Sequence, residues 1–460
     1  MKILLVKPGI AHGDHIQPPL GIAFLASRLR DKNEVRVLDF GKLDRRDDRF
    51  LDSVKEFAPD VVGFQCYSPE IGEVKRLGAL TRAALPKAVI ISGGPHPTLC
   101  PEETMARLSP EADYLLRGET EDSFPLFIEM LGGRAAPADV PGLAWREDGK
   151  LRVNEIRPIK DIDALPLPAW DLINPQEYPP AQHGAFFNQF PIAPIVTTRG
   201  CPFACGFCTA PILSGRQMRK RSAASVMAEI ELLYHKFGIR EIHIVDDNFT
   251  LDKAHAVSIL KAIVASGLPI SLAFPNGVRI GTLDEELLDL MKRAGTYLIS
   301  VGIESGSDKT LKRMDKQLSV SLIREKVALI KSMGIDLAAF FILGFPDETV
   351  EDMRETINFS LELPLLRANF FTFLPLPMTP VTLKLIESGE IGQMDVEGLI
   401  FQKVPYAPKG VTRDQLRSLQ REAFLKFYLR PGIMLRNVMQ IRSLKHFGYL
   451  AKRFYHWILM

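Results

Sequence analysis

Short apolar runs alternate with amphipathic stretches along most of this chain, and that alternation constrains the fold more than any other feature. Lys2–Lys7, Val35–Phe40, Asp60–Gln65, Ala88–Ser92 and Ala112–Leu116 read as strands. Helical periodicity appears at Pro19–Arg30, Ile71–Ala84 and Ser123–Leu131. Five β/α units in succession require parallel strands, so they predict a doubly wound sheet with helices on both faces. In such sheets ligands bind beyond the carboxyl ends of the strands. The loops to watch are therefore Pro8–Pro18, Cys66–Glu70, Gly93–Thr98 and Gly118–Asp122.

Residues 142–155 read as a small hairpin turning at Asp148-Gly149, and Leu165–Pro180 as a proline-rich linker. The β/α rhythm then resumes. Strands are expected at Ile192–Thr197, Glu241–Val245, Ile270–Phe274, Leu298–Ile303, Ala338–Leu343 and Asn369–Leu374, with Ser222 and Thr349 as helix N-caps. Six further units suggest a full or partial (β/α) barrel. The expected organisation is α/β: a doubly wound parallel sheet over 1–140, hairpin and linker over 141–189, the barrel over 190–385, and a helical, basic region over 386–460.

The chain has 460 residues, is 46% hydrophobic and carries a net charge of +2, which excludes a disordered chain or an all-over trap for nucleic acid. The charge is uneven: past Glu422 there is no acidic residue, but seven Lys and Arg. Interleaved with Phe, Tyr, Trp, Leu, Ile and Met, those cations suit either a helical subdomain packed on the barrel or a helix pair lying on a membrane surface. The longest stretch without Asp, Glu, Lys or Arg, Tyr178–Thr198, holds four prolines and cannot span a bilayer. The first apolar run is too short for a signal peptide, so a cytoplasmic location is expected, possible membrane contact being peripheral.

Five cysteines, an odd and sparse set, argue against a disulfide framework. Three of them, Cys201, Cys205 and Cys208, form C-x3-C-x2-C just after an expected strand. A closed zinc site needs four ligands, and no fourth Cys or His lies close in sequence. Three thiolates suit a cubane iron–sulfur cluster with one iron left open.

At these residues the chain resembles the radical S-adenosylmethionine (SAM) enzymes. The resemblance implies that the three cysteines bind a [4Fe-4S] cluster whose open iron is chelated by SAM, and that reductive cleavage yields a 5′-deoxyadenosyl radical. Phe207 matches the aromatic residue usual beside the last cysteine. Asp246 and Asp247 offer acceptors for the SAM ammonium, and Arg279 a partner for its carboxylate. Glu304 and Ser305 would approach ribose and the methionyl group, and Gly344 adenine. Lys316, Arg219 and Arg221 match positions often basic in these enzymes, though surface charge before a helix is as good a reading.

The loops Pro18-Pro19-Leu20-Gly21, Gly93-Gly94-Pro95-His96-Pro97-Thr98 and Arg117–Glu121 resemble the cobalamin-binding-domain radical SAM enzymes; the resemblance covers residues 1–380. It implies cobalamin bordered by Gln65, Ser68, Gly93, Gly94 and Thr98. The Asp-x-His-x-x-Gly motif that supplies a histidine to cobalt is absent, Asp14-His15 lacking that spacing, and His96 reads equally as a ligand or a satisfied loop histidine. The implied activity is C-methylation of an unactivated carbon through methylcobalamin. Ring formation or rearrangement on the same scaffold is the alternative; a non-catalytic zinc-binding scaffold is an alternative of another class. The implied partners are a small-molecule or lipid-like substrate and a reductant such as flavodoxin or ferredoxin, with no nucleic acid expected. Pro377-Met378-Thr379 departs from the family's usual Pro-Gly-Thr, which points to divergence at the substrate end.

Overall fold

A computed structural model describes residues 1–9, 16–42, 47–180, 187–392, 394–400, 403–441, 443–444, 446–448, 450–451 and 455. The chain forms two compact units: Met1–Pro179 with Ala210–Arg219, and Pro180–Thr209 with Lys220–Met460.

The first unit is built on a seven-stranded sheet. Its strands are β1 (Lys2–Lys7), β2 (Glu34–Asp39), β3 (Val61–Gln65), β4 (Val89–Gly93), β5 (Tyr114–Leu116), β6 (Leu143–Glu147) and β7 (Lys150–Val153), in the order β2-β1-β3-β4-β5-β6-β7. The first five pair in parallel, as the β/α rhythm predicts. The hairpin β6–β7 corrects the expected boundary at 140. It pairs antiparallel to β5, Leu115 opposite Ala144, and so completes this sheet. The proline-rich stretch after it is anchored rather than loose: Trp170 and Tyr178 are fully buried, and the Tyr178 hydroxyl donates to Asp39 at 2.5 Å. Ile3, Leu5 and Ile91 from the strands meet Ile22, Phe124 and Phe127 from the helices in one apolar core. Burying a side chain such as Phe127 contributes about 1.5–3 kcal/mol relative to leaving it exposed.

The second unit holds six parallel strands: β8 (Ile192–Ile195), β9 (Glu241–Ile244), β10 (Ser271–Val278), β11 (Thr296–Glu304), β12 (Asp336–Leu343) and β13 (Arg367–Thr372). They lie side by side in chain order, and no pairing closes β8 onto β13 among the described residues. The barrel is therefore partial. Helices cross between successive strands, and the expected caps form. The Ser222 hydroxyl accepts from Ser225 N–H at 3.1 Å, and Thr349 shares a capping box with Asp352. Helices Arg413–Tyr428 and Pro431–Met439 follow the last strand. No described helix is long and apolar enough to cross a membrane.

The candidate active site at the carboxyl ends of the barrel strands

In parallel α/β barrels the reacting groups stand at the carboxyl ends of the strands. Here the loop after β8 carries Cys201, Cys205 and Cys208, all half-buried and none in a disulfide. Its conformation is fixed from both sides. Cys208 N–H donates to Cys205 O at 3.1 Å, while Gly206 donates to Met314 O and accepts from Val381 N–H, each at 3.0 Å. A Cβ on Gly206 would stand 2.9 Å from the Val381 side chain, so the tight approach requires glycine.

The loop's entry is held by Asp246. This carboxylate, buried at the end of β9, accepts from Thr197 N–H at 2.6 Å, from the Thr197 hydroxyl at 2.5 Å and from the Thr198 hydroxyl at 2.8 Å. Burial pushes its pKa up to about 6 against the opposing pull of those donors. Threonines of its own chain thus take three of the Asp246 acceptor positions, so this carboxylate holds the entry of the cysteine loop. In the sequence, Thr197 and Thr198 are marked only by their position immediately before Arg199-Gly200-Cys201.

Its neighbour Asp247 behaves differently. It is exposed and stands close enough to Cys201 to raise that thiol, adding to burial, while the Phe203 N–H and Arg279 pull the other way. Arg279, just past β10, lies 3.7 Å over the Phe203 ring inside the cysteine loop. Its Nη2 donates to Lys316 O at 2.7 Å.

Glu304, the last residue of β11, takes a left-handed backbone (φ +67°) and accepts from Lys316 Nζ at 2.7 Å. A Cβ at Gly302 would collide with the Glu304 carboxylate, so glycine there makes room for the pair. Burial alone would lower the Lys316 ammonium, but Glu304 and Cys205 outweigh it and hold it above its ordinary value. Lys316 Nζ also lies 5.8 Å over Phe207, which packs edge-on against Phe345. Cys201, Cys205, Phe207, Asp247, Arg279, Glu304 and Lys316 thus share one neighbourhood.

Other candidates serve the fold. Ser305 is fully buried and exchanges a hydrogen bond with the Thr356 hydroxyl at 2.9 Å, joining β11 to the helix Val350–Glu362. Gly344 (φ +76°) would place a Cβ 2.5 Å from Leu416, so its bareness admits a C-terminal helix. Arg221 pairs with buried Glu229 and donates to Val196 O, and Arg219 binds Glu119 and Ile159 O; neither is a surface charge.

At the carboxyl edge of the first sheet the glycine pair likewise answers to its own chain. A Cβ on Gly93 would meet Leu116 O at 3.0 Å, and one on Gly94 (φ +104°) would meet Cys66 backbone at 3.2 Å. Thr98 donates to Gly94 O at 2.7 Å and accepts from Gly118 N–H at 2.9 Å, so its hydroxyl is used internally. Ser68 Oγ stands 3.1 Å from His96 Nδ1. His96 is fully buried, and burial lowers its pKa to about 4. Asp14 and His15 lie outside the described residues.

Three buried polar atoms at this edge have no hydrogen-bond partner among the described residues: Gln17 Oε1, Gln65 Oε1 and His96 Nε2. Buried orphans are costly unless a ligand satisfies them. A ligand edged with amide donors, as cobalamin is, fits the two glutamine acceptors. For the cysteine loop the test is donor chemistry. Three thiols on one loop, Cys201, Cys205 and Cys208, are the donors an iron–sulfur cluster takes.

Two family models match in this order: the B12 binding domain over residues 6–128 and the radical SAM superfamily over residues 195–360. An uncharacterized methyltransferase of Pyrococcus horikoshii is 31% identical over 459 residues, covering 98% of this chain and 97% of the relative. The chain belongs to the cobalamin-binding radical SAM family. The cytidylyl-2-hydroxyethylphosphonate methyltransferase of Streptomyces wedmorensis is 30% identical, covering 84% of this chain and 82% of its own. An anaerobic magnesium-protoporphyrin IX monomethyl ester cyclase of Cereibacter sphaeroides is 25% identical, covering 94% and 71%. The structure of the cobalamin-dependent SAM radical enzyme OxsB has the same fold, with a TM-score of 0.78 at 16% identity over 100% of this chain and 72% of that one. The chain is thus a cobalamin-dependent radical SAM enzyme, and its cofactors are a [4Fe-4S] cluster, SAM and cobalamin.

Proposed function

We propose that this enzyme is a C-methyltransferase acting on an unactivated carbon of a small molecule, with a flavodoxin- or ferredoxin-type protein as its electron donor. The supporting observation is the pairing, in one chain, of a cobalamin-binding sheet with a three-thiol loop, in a sequence with two relatives, 31% and 30% identical, that are methyltransferases. Ring formation, the chemistry named for the cyclase relative, is less favoured because that similarity is weaker.

When bound, the three cofactors together supply reductive generation of a carbon-centred radical and a methyl group. The protein's part follows from its own residues. Cys201, Cys205 and Cys208 would hold the cluster. Asp247, exposed beside Cys201, would face the SAM ammonium, and Arg279, steadied on Phe203, its carboxylate. Glu304 would be held toward ribose by Lys316, whose ammonium also offsets negative charge near Cys205. Gln17 and Gln65 would accept from amides of cobalamin. Asp246, Ser305, Gly344 and Thr98 position these groups without touching a cofactor.

Anaerobic reconstitution tests this reading. About four iron and four sulfide per chain are expected, with loss of both when the cysteines are changed to alanine. Methyl-deuterated SAM should pass its label to an acceptor carbon. Formation of 5′-deoxyadenosine with an unlabelled, cyclised product would favour the ring-forming alternative. A colourless protein holding one zinc would reject both.

A further inference from the structure

The helix Pro431–Met439 belongs to the second unit and is tied to it by polar groups at both ends. Ile433 is its buried residue. Arg430 at its N-cap donates to Leu361 O at 2.9 Å, Arg436 stands 3.8 Å from the Asp336 carboxylate, and Gln440 at its C-cap accepts from Arg367 at 2.6 Å. These contacts fix which side faces the body.

The other side is apolar and exposed: Met434 48%, Leu435 62%, Val438 61% and Met439 72%. Positions 434 and 438, 435 and 439, and 435 and 438 are one turn apart, so the four side chains form one stripe. Leu429 before the helix and Leu444 and Phe447 after it are exposed as well. Met378, Leu383 and Ile386 make a smaller and less exposed group at 44–47%, and Met1, Tyr67, Val153 and Phe190 are scattered along the sequence. Clustering of this kind marks a contact surface.

Charge selects the occupant. Past Glu422 the sequence holds seven Lys and Arg and no Asp or Glu, a strongly positive region; Lys426 pairs with Glu422, Arg430 and Arg436 meet the body, and Arg442, Lys445, Lys452 and Arg453 lie outside the described residues. A second copy would oppose those cations with themselves. A nucleic acid would match the charge but leave the apolar stripe in water. An anionic bilayer satisfies both, taking the stripe at the acyl boundary and matching the region's net positive charge with its headgroups. We infer that this face of the C-terminal region rests on the surface of an anionic membrane. The inference is independent of the reaction catalysed.

The test is co-sedimentation of the full-length, cofactor-loaded protein with vesicles of phosphatidylcholine alone or with about one third phosphatidylglycerol. Partitioning should be about tenfold or more greater onto the anionic vesicles, should weaken as salt rises, and should fall by about tenfold in L435E/M439E. L435A/M439A, which keeps strong helix formers, serves where the glutamates prevent folding, and should fall by a smaller factor. Equal partitioning onto both vesicles, or onto neither, overturns the inference. So does a dimer in solution that L435E/M439E dissociates, or a nucleic acid that binds the wild type and displaces it from vesicles.

Discussion

Replacing Asp246 separates a positioning role from a ligand role. In the folded chain its carboxylate satisfies three donors, the Thr197 N–H and the Thr197 and Thr198 hydroxyls, and all three residues are buried. D246A strands three buried donors. At about 1–3 kcal/mol each, with relaxation making them less than additive, the loss is about 3–6 kcal/mol. D246N keeps one acceptor and lets the hydroxyls rotate, so about 1–2 kcal/mol is expected. Hydrogen exchange of the backbone from Ile192 to Thr209 in cofactor-free protein reads this directly. Protection should fall in the order wild type, D246N, D246A. The acidity adds a second signature. The folded carboxyl sits at about 6, above its ordinary value of 3.8, so the folded state holds the proton more tightly. Its contribution is therefore most favourable below pH 4 and declines as pH rises through the window to 6, by up to about 3 kcal/mol. That slope should vanish in D246N. Unchanged exchange in D246A, together with weaker SAM binding, would refute the reasoning and restore Asp246 as a ligand.

Other substitutions follow from the same geometry. E229A leaves the Arg221 guanidinium buried without its carboxylate and should cost about 3–5 kcal/mol in denaturant unfolding, with E229M/R221M recovering much of it. G344A meets Leu416 at 2.5 Å on a backbone of φ +76°. It should lose about 1–3 kcal/mol, and L416A should relieve only the steric part, leaving the backbone cost. His96, lowered to about 4 by burial, should keep neutral-imidazole chemical shifts by NMR from pH 8 down to 5. Because its folded value lies below the ordinary 6.5, the stability it lends is lost as pH falls from 6.5 toward 4.

Local pattern made much of this legible. The six barrel strands, the parallel sheet before them and the caps at Ser222 and Thr349 follow from periodicity and side-chain chemistry within a few residues. Helices Asp47–Phe57 and Pro101–Leu108 did not stand out, being short and strongly polar. What escaped the sequence is long-range partnership. The antiparallel hold of β6 on β5, the meeting of Gly344 with Leu416, the tie of Thr98 to Gly118 and the return of Ala210–Arg219 to the first unit join residues that no local period relates.

The same limit explains why residue type alone does not separate loop-holding residues from presented ones among the strand-end candidates. A carboxylate, a serine or a glycine at the end of a barrel strand is suited both to a ligand and to the turn that leaves the strand. Saturation decides between them. Asp246 and Asp247 are adjacent and chemically alike, and successive side chains at a strand end face opposite ways. One is buried with its acceptors filled by threonines; the other is exposed and raises the Cys201 thiol. Ser305 and Glu304 divide in the same way, the serine wired to Thr356 and the acid held beside the thiols by Lys316. At these two strand ends a residue that locks the loop thus stands beside a neighbour that the lock presents to the cysteines. Loss of the lock should therefore disorder the presented group, so D246A is expected to weaken cluster assembly although Asp246 touches no iron.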